Sequence, residues 1–166
     1  MVPPSVNEDD VDMPPKANIL LVDDRPDNLL ALEVILEELG QNLLRASSGE
    51  EALEMLRRQD VAVVLLDVWL GSMNGFEVAQ AIRAQERSRH TPIIFITAHE
   101  DDELSPAKAY SLGAVDYLVK PIVPEILRAK VEVFVQLFQH ARLEQSERRL
   151  RALLENAWDG ISLSTG

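Results

Sequence analysis

Asp23 and Asp24 close the apolar run Ile19, Leu20, Leu21, Val22, and Asp67 closes the run Val61 to Leu66. Two further runs end on side chains able to handle charge: Pro92 to Ile96 delivers Thr97, and Ala114 to Val119 delivers Lys120, followed by Pro121. If these runs are neighbouring parallel strands, their C-terminal ends bring three carboxylates, a hydroxyl and an ammonium to one edge of one sheet. Three adjacent carboxylates repel one another, so at least one should have a raised pKa unless a cation lies among them. Magnesium suits such a place, because it takes one or two carboxylates with other oxygen ligands and keeps several waters. Beside it, one carboxylate can attack phosphorus and form an acyl phosphate. The cation, the ammonium and the hydroxyl would then steady charge on the phosphoryl oxygens. The constellation reads as a phosphoacceptor.

The elements that must position these groups follow from the pattern between them. Runs apolar on both faces, such as 61–66, belong in a sheet covered by helices on both sides. Pro26 suits the first turn of a helix carrying Leu29, Leu32, Ile35 and Leu36, with Gly40 at its C-terminal end. Leu43 and Leu44 mark a short strand. Ser48 with Glu51, and Asn74 with Glu77, have capping-box spacing ahead of two more helices. Pro106 predicts a fourth helix with Ser105 as its N-cap, preceded by a long mobile loop over 99–104. Pro124 opens a fifth, whose polar continuation past Gln139 to about Asn156 leaves the domain with a thin seam of Leu143, Leu150 and Leu154. Strand and helix alternate throughout, which predicts an α/β fold: a five-stranded parallel sheet with five helices and its ligands at the strands' carboxyl ends.

Bulk composition narrows the partners. The chain has 166 residues, 46% hydrophobic and 27% charged, which is ordinary for a globular domain with extensions. A formal net charge of -12 argues against nucleic acid and anionic membrane, since both would repel it. No cysteine is present, so thiol chemistry and cysteine-ligated zinc are excluded. No apolar run reaches the ~20 residues of a membrane helix. Residues 1–16, with Pro3, Pro4, Pro14, Pro15 and several acids, read as a disordered acidic arm and not as a secretory signal. A cytoplasmic protein is the expectation.

Over residues 17–139 the ordered set Asp23-Asp24, Asp67, Thr97 and Lys120-Pro121 resembles the receiver domain of two-component response regulators. The resemblance implies a doubly wound, flavodoxin-like sheet in strand order 2-1-3-4-5. It implies Asp67 as the phosphorylated residue, Asp24 as a direct ligand of Mg²⁺ or Mn²⁺, Asp23 as a ligand through water, and Trp69 as a ligand through its backbone carbonyl. Thr97 and Lys120 would contact the phosphoryl group, the Lys120-Pro121 bond would be cis, and Tyr117 would be the aromatic that follows Thr97 in a switch. The partners implied are a histidine kinase or phosphotransfer protein, an output domain following in the same chain, and a second copy through the last helix. Receivers usually carry proline where Gly71 stands and seldom a large indole where Trp69 stands. The first departure should loosen the loop after Asp67, and the second should shield an acyl phosphate from water. Residues 140–156 read as a helical linker. Residues 157–166, following Leu153, Leu154, Glu155 and Asn156, resemble the start of a PAS domain, as in a hybrid sensor kinase.

Read singly, each site residue has a plainer explanation: an Asp pair after a strand is often turn punctuation, and Lys120 could be a solvated loop residue. Their joint placement at one edge is what favours function. The competing reading is an aspartyl-phosphate phosphatase or phosphotransferase. Such enzymes place a second acid two residues after the nucleophile, where this chain has Trp69, and carry a cap-sized insertion that is lacking here. A nucleotide-binding module would need a glycine-rich loop where Asp23, Asp24, Arg25 and Pro26 stand.

Overall fold

The computed structural model describes residues 15–71, 73–98 and 106–164. Five strands, β1 Asn18–Val22, β2 Asn42–Ala46, β3 Val63–Asp67, β4 Ile93–Thr97 and β5 Asp116–Val119, form one sheet. All neighbours pair in parallel, in the order β2-β1-β3-β4-β5. Both the strand set and the 2-1-3-4-5 order match the expectation. Helices α1 Pro26–Leu36, α2 Gly49–Arg58, α3 Gly75–Ala84, α4 Pro106–Ser111 and α5 Pro124–Ser164 connect and follow the strands.

Alternation along β1 sends Leu20 and Val22 to one face, where they pack with Ala52 and Leu56 of α2, Phe76 and Ile82 of α3, and Ala109 of α4. Ile19 and Leu21, also fully buried, point to the opposite face, the side of α1 and the first turns of α5. Burial on both faces explains why β3 and β4 are apolar at successive positions. The strand order reverses between β1 and β3, so their carboxyl ends form the crevice in which ligands of such sheets sit.

The helix starts follow local chemistry. Pro26 fits the first turn of α1, where its missing N–H costs nothing. Ser48 Oγ accepts the Glu51 N–H at 3.1 Å and Asn74 Oδ1 accepts the Glu77 N–H at 2.9 Å. The return half of the first capping box is shifted by one residue: the Glu51 carboxylate accepts from the Ser47 N–H, not from Ser48. Helix α4 begins at Pro106 as expected, whereas Ser105 and the loop 99–104 lie outside the described residues, as does the arm up to residue 14. At the amino-terminal edge of the sheet, Arg83 of α3 donates to the carbonyls of Thr91 and Gly113, both at 2.7 Å, and to that of Arg89 at 3.1 Å. Burial among these neutral acceptors lowers the Arg83 pKa.

Packing divides the chain into a unit Lys16–Gln136, which holds the sheet, and a second that includes the chain from Leu137 onward. Helix α5 runs without a break past Asn156 to Ser164, further than the sequence boundary suggested. Its Gly160 is tolerated because a glycine in a helix interior costs only ~1 kcal/mol relative to alanine. Among the described residues, no helix is long and apolar enough to cross a membrane.

Candidate functional site

Asp67 is the last residue of β3 and Asp23 follows β1 directly, so parallel pairing of the two strands sets their side chains next to each other. Both are buried, at 8% and 2% exposure, and the two carboxyls lie within hydrogen-bonding reach. Asp67 is held from two sides. The Trp69 N–H donates to its Oδ1 at 2.8 Å, and the Lys120 ammonium donates to its Oδ2 at 3.1 Å. Asp23 accepts the Arg25 N–H at 3.0 Å. Lys120 is fixed in turn, because its own N–H donates to the Thr97 carbonyl at 2.8 Å and so continues the β4–β5 ladder beyond Val119. The Lys120-Pro121 peptide bond is cis.

Burial pushes the Asp23 carboxyl up to about 6; the Arg25 N–H opposes the shift, and the nearby Asp67 adds to it. A pocket of about 260 Å³ opens beside Asp23 and Lys120, and its walls are mainly apolar, from Leu32, Ile35, Ile96 and Pro121. The carboxylate with a raised pKa expected from the sequence is therefore Asp23. A carboxyl whose folded pKa lies above its unfolded value destabilises the fold once ionised. The unfolded chain releases this proton near pH 4 and the folded chain near pH 6, so stability falls across that window as pH rises. Asp23→Asn should therefore stabilise the metal-free protein at pH 7 by on the order of 2 kcal/mol, with little gain at pH 4. Urea unfolding at the two pH values measures this, and an equal effect at both would contradict it.

Asp24 occupies a different place. It is exposed at the rim, and the loop after Asp67 folds back toward it. There Trp69–Leu70 pairs with Met73–Asn74 in a short antiparallel hairpin. Gly71, at φ 69°, turns that hairpin, and a Cβ at this position would lie 3.4 Å from Asp24 Oδ2. Gly71 thus turns the loop at a φ that proline could not adopt. The fold brings Asp23, Asp67 and Lys120 together as expected, and Asp24 is exposed at the rim beside Gly71. Among the described residues, no three acidic, histidine or cysteine side chains form a closed cation-binding group by themselves. Magnesium does not need one, since it retains waters and accepts one or two carboxylates. Two buried anions pressed together, one of them with a raised pKa, fit a cation at this rim.

Thr97 ends β4 and is 1% exposed, one strand away from Asp67. Tyr117 is half-buried against the core beside Phe95, its register partner. Trp69, whose backbone N–H reaches the Asp67 carboxylate, leaves half of its surface in solvent.

Gly75 was not singled out by the sequence reading. It opens α3, and its N–H donates to the Val68 carbonyl at 2.7 Å. A Cβ there would lie 2.4 Å from the Asp67 carbonyl oxygen and 2.9 Å from Val68 Cα. Gly75→Ala must push the Asp67–Val68 backbone away from α3, with an expected loss of about 1–3 kcal/mol in stability. Denaturant titration checks it; an unchanged midpoint would show that the backbone yields freely. The only sequence signal was a glycine at the first helical position, which has many other causes.

The family model of the response regulator receiver domain matches residues 19–132. The chain belongs to this receiver family. Receivers are modules of two-component signalling, and solved ones share the fold. The receiver domain of the sensor histidine kinase PA1611 from Pseudomonas aeruginosa, determined with magnesium coordinated in its active-site cleft, superposes with a TM-score of 0.66 at 30% identity, over 73% of this chain and 98% of that one. The chemotaxis protein CheY4 of Vibrio cholerae gives a TM-score of 0.64 at 31% identity, over 72% of this chain and 98% of that one. Among curated proteins, the chain is 36% identical over 124 residues to a probable cyclic di-GMP phosphodiesterase of Vibrio cholerae, covering 73% of this chain and 27% of that protein. It is 34% identical over 137 residues to the transcriptional regulatory protein SrrA of Staphylococcus aureus, covering 82% of this chain and 55% of that protein. The receiver thus spans between about a quarter and a half of these relatives' length.

Proposed function

We propose that this receiver takes a phosphoryl group onto Asp67 from a histidine kinase or phosphotransfer protein, in a magnesium- or manganese-dependent reaction, and relays the change through its last helix. The observation that carries this reading is the buried Asp67 carboxylate, held between the Trp69 N–H and the Lys120 ammonium beside a second buried carboxylate, Asp23. An Asp67 oxygen forms the new bond to phosphorus as the donor's P–N bond breaks. The donor imidazole keeps that electron pair and regains its proton from solvent. Lys120, already hydrogen-bonded to Oδ2, is within reach of the arriving phosphoryl oxygens, and the Thr97 side chain approaches from the next strand. A bound cation would offset charge between the carboxylates and those oxygens. Asp24 directly, Asp23 through water, Asp67, and the Trp69 carbonyl would hold it.

Thr97 and Tyr117 then form the switch whose two arrangements phosphorylation biases, altering the surface toward α5. In this reading, residues 140–156 link the receiver to a following PAS-like output domain that begins at 157–166. The whole assembly is cytoplasmic, and a second copy joins through the last helix. Incubation with acetyl phosphate and Mg²⁺ should add one phosphoryl group per chain, mapped to Asp67 by mass spectrometry. Hydrolysis of many equivalents of p-nitrophenyl phosphate per chain would instead make it a phosphatase. The half-exposed Trp69 indole shields the acyl phosphate from water, so Trp69→Ala should shorten its lifetime with loading at Asp67 intact. Equal decay in the two proteins would end that role for Trp69.

A further inference from the structure

Tyr117 follows Asp116 in β5, and the Asp116 carboxylate touches two elements at once. One oxygen, Oδ1, accepts the Tyr117 N–H at 2.8 Å; the other, Oδ2, accepts from the Lys130 ammonium on α5. A single carboxylate thus joins the backbone of Tyr117 to the side of the last helix. β5 is an edge strand with a backbone ladder to β4 alone, which makes the bond to Lys130 a direct tie between it and α5.

The first turns of α5 are held in three ways. Leu127, Val131 and Val135, spaced four apart on one face, are buried. On one flank of that face, Arg128 donates to the Ile35 carbonyl at 3.3 Å and pairs with the Glu38 carboxylate at 3.5 Å, which ties α5 to the end of α1 and the turn after it. On the other flank, Lys130 pairs with Asp116. Arg128 and Lys130 are two residues apart, about 160° round the helix from each other. One flank is therefore fixed to a helix that carries no switch residue, and the other to the strand that carries Tyr117. We propose that Lys130 and Asp116 are the positioning residues through which a rearrangement at Thr97 and Tyr117 reaches α5, with the Arg128 flank as the pivot. This deepens the reading of α5 as the output path and rests on it. Movement of the β5 backbone at Tyr117 displaces the Asp116 carboxylate. The ion pair carries Lys130 along, while the Arg128 guanidinium keeps its own flank on α1, and the helix turns on that pivot. The Lys130 and Asp116 side chains are 34 and 25% exposed, so the pair is partly screened by water and its loss costs the fold little. Substitutions there test transmission in a folded chain.

Hydrogen exchange of the 166-residue chain before and after loading with acetyl phosphate and Mg²⁺ tests the link. Loading should change exchange over residues 124–136 in the unmodified chain and in Lys130→Arg, which keeps the cation. Lys130→Met and Asp116→Asn should lose that change while still accepting one phosphoryl group. Asparagine keeps an oxygen for the Tyr117 N–H, so only the ion pair is removed. A change over 124–136 that persists in either variant, or its absence from the loaded unmodified chain, would overturn the proposal. A second measurement needs no phosphoryl group: in amide NMR spectra, Lys130→Met should shift the Tyr117 resonance and Lys130→Arg should leave it near its place. A Tyr117 resonance indifferent to Lys130→Met would equally overturn the link. Intact mass of the exchange samples reads loading, so failure of the phosphoacceptor reading and failure of the link are separately visible.

Discussion

Asp67→Asn is expected to abolish phosphoryl incorporation entirely while leaving the fold intact. The carboxamide has no anionic oxygen to attack phosphorus, and no neighbour can replace it. Asp23 is 2% exposed, accepts the Arg25 N–H and has a raised pKa, while Asp24 lies out at the rim. The amide oxygen can still accept the Trp69 N–H, so the backbone after β3 keeps its hydrogen bond. Its amino group would then face the Lys120 ammonium, a contact between donors that leaves the lysine to find solvent. Removing one of two buried anions also relieves Asp23, whose pKa should move back toward the ordinary carboxylate range. Intact-mass measurement after incubation with acetyl phosphate and Mg²⁺ decides the matter. Retention of one phosphoryl group in the variant would mean that Asp67 is not the acceptor.

Lys120→Met should slow phosphorylation by about 10²–10³-fold, the usual cost of removing one preorganised donor from a site where charge develops. Methionine keeps much of the lysine stem's bulk but removes the ammonium that the structure places on Asp67. The Lys120 side chain is 31% exposed, so part of its effect is screened by water, and the lower end of that range is the better expectation. Fold stability should change little, since Lys120 holds its place through its backbone N–H to Thr97, which methionine retains. The check is the rate of loading from acetyl phosphate at saturating Mg²⁺. A rate within a few-fold of the unmodified protein would remove Lys120 from the reaction.

Much of this site was legible because strand ends are legible. Apolar runs ending on Asp67, Thr97 and Lys120, together with parallel pairing, leave those residues on one edge whatever the loop details. What periodicity could not give is side-chain direction once a strand has ended. Asp23 and Asp24 look alike in sequence, yet one is buried against Asp67 and the other is exposed near Gly71. The same limit hid the role of Gly71, which turns a hairpin at positive φ, and of Gly75, whose missing side chain matters only because α3 comes within touching distance of β3. Helix α5 runs past Asn156, where residues 157–166 read as the start of another element, because the single Gly160 among them is a small penalty within so long a helix.

Arg83 lies far from the chemistry, on the opposite edge of the sheet, where its guanidinium joins the segments leading into β4 and β5 through the Thr91 and Gly113 carbonyls. Those two strands end at Thr97 and just before Lys120. Clasped at their roots by one guanidinium and tied at their tips by the Lys120 N–H to the Thr97 carbonyl, the two strands move as a pair, so a pull on either tip is felt by both.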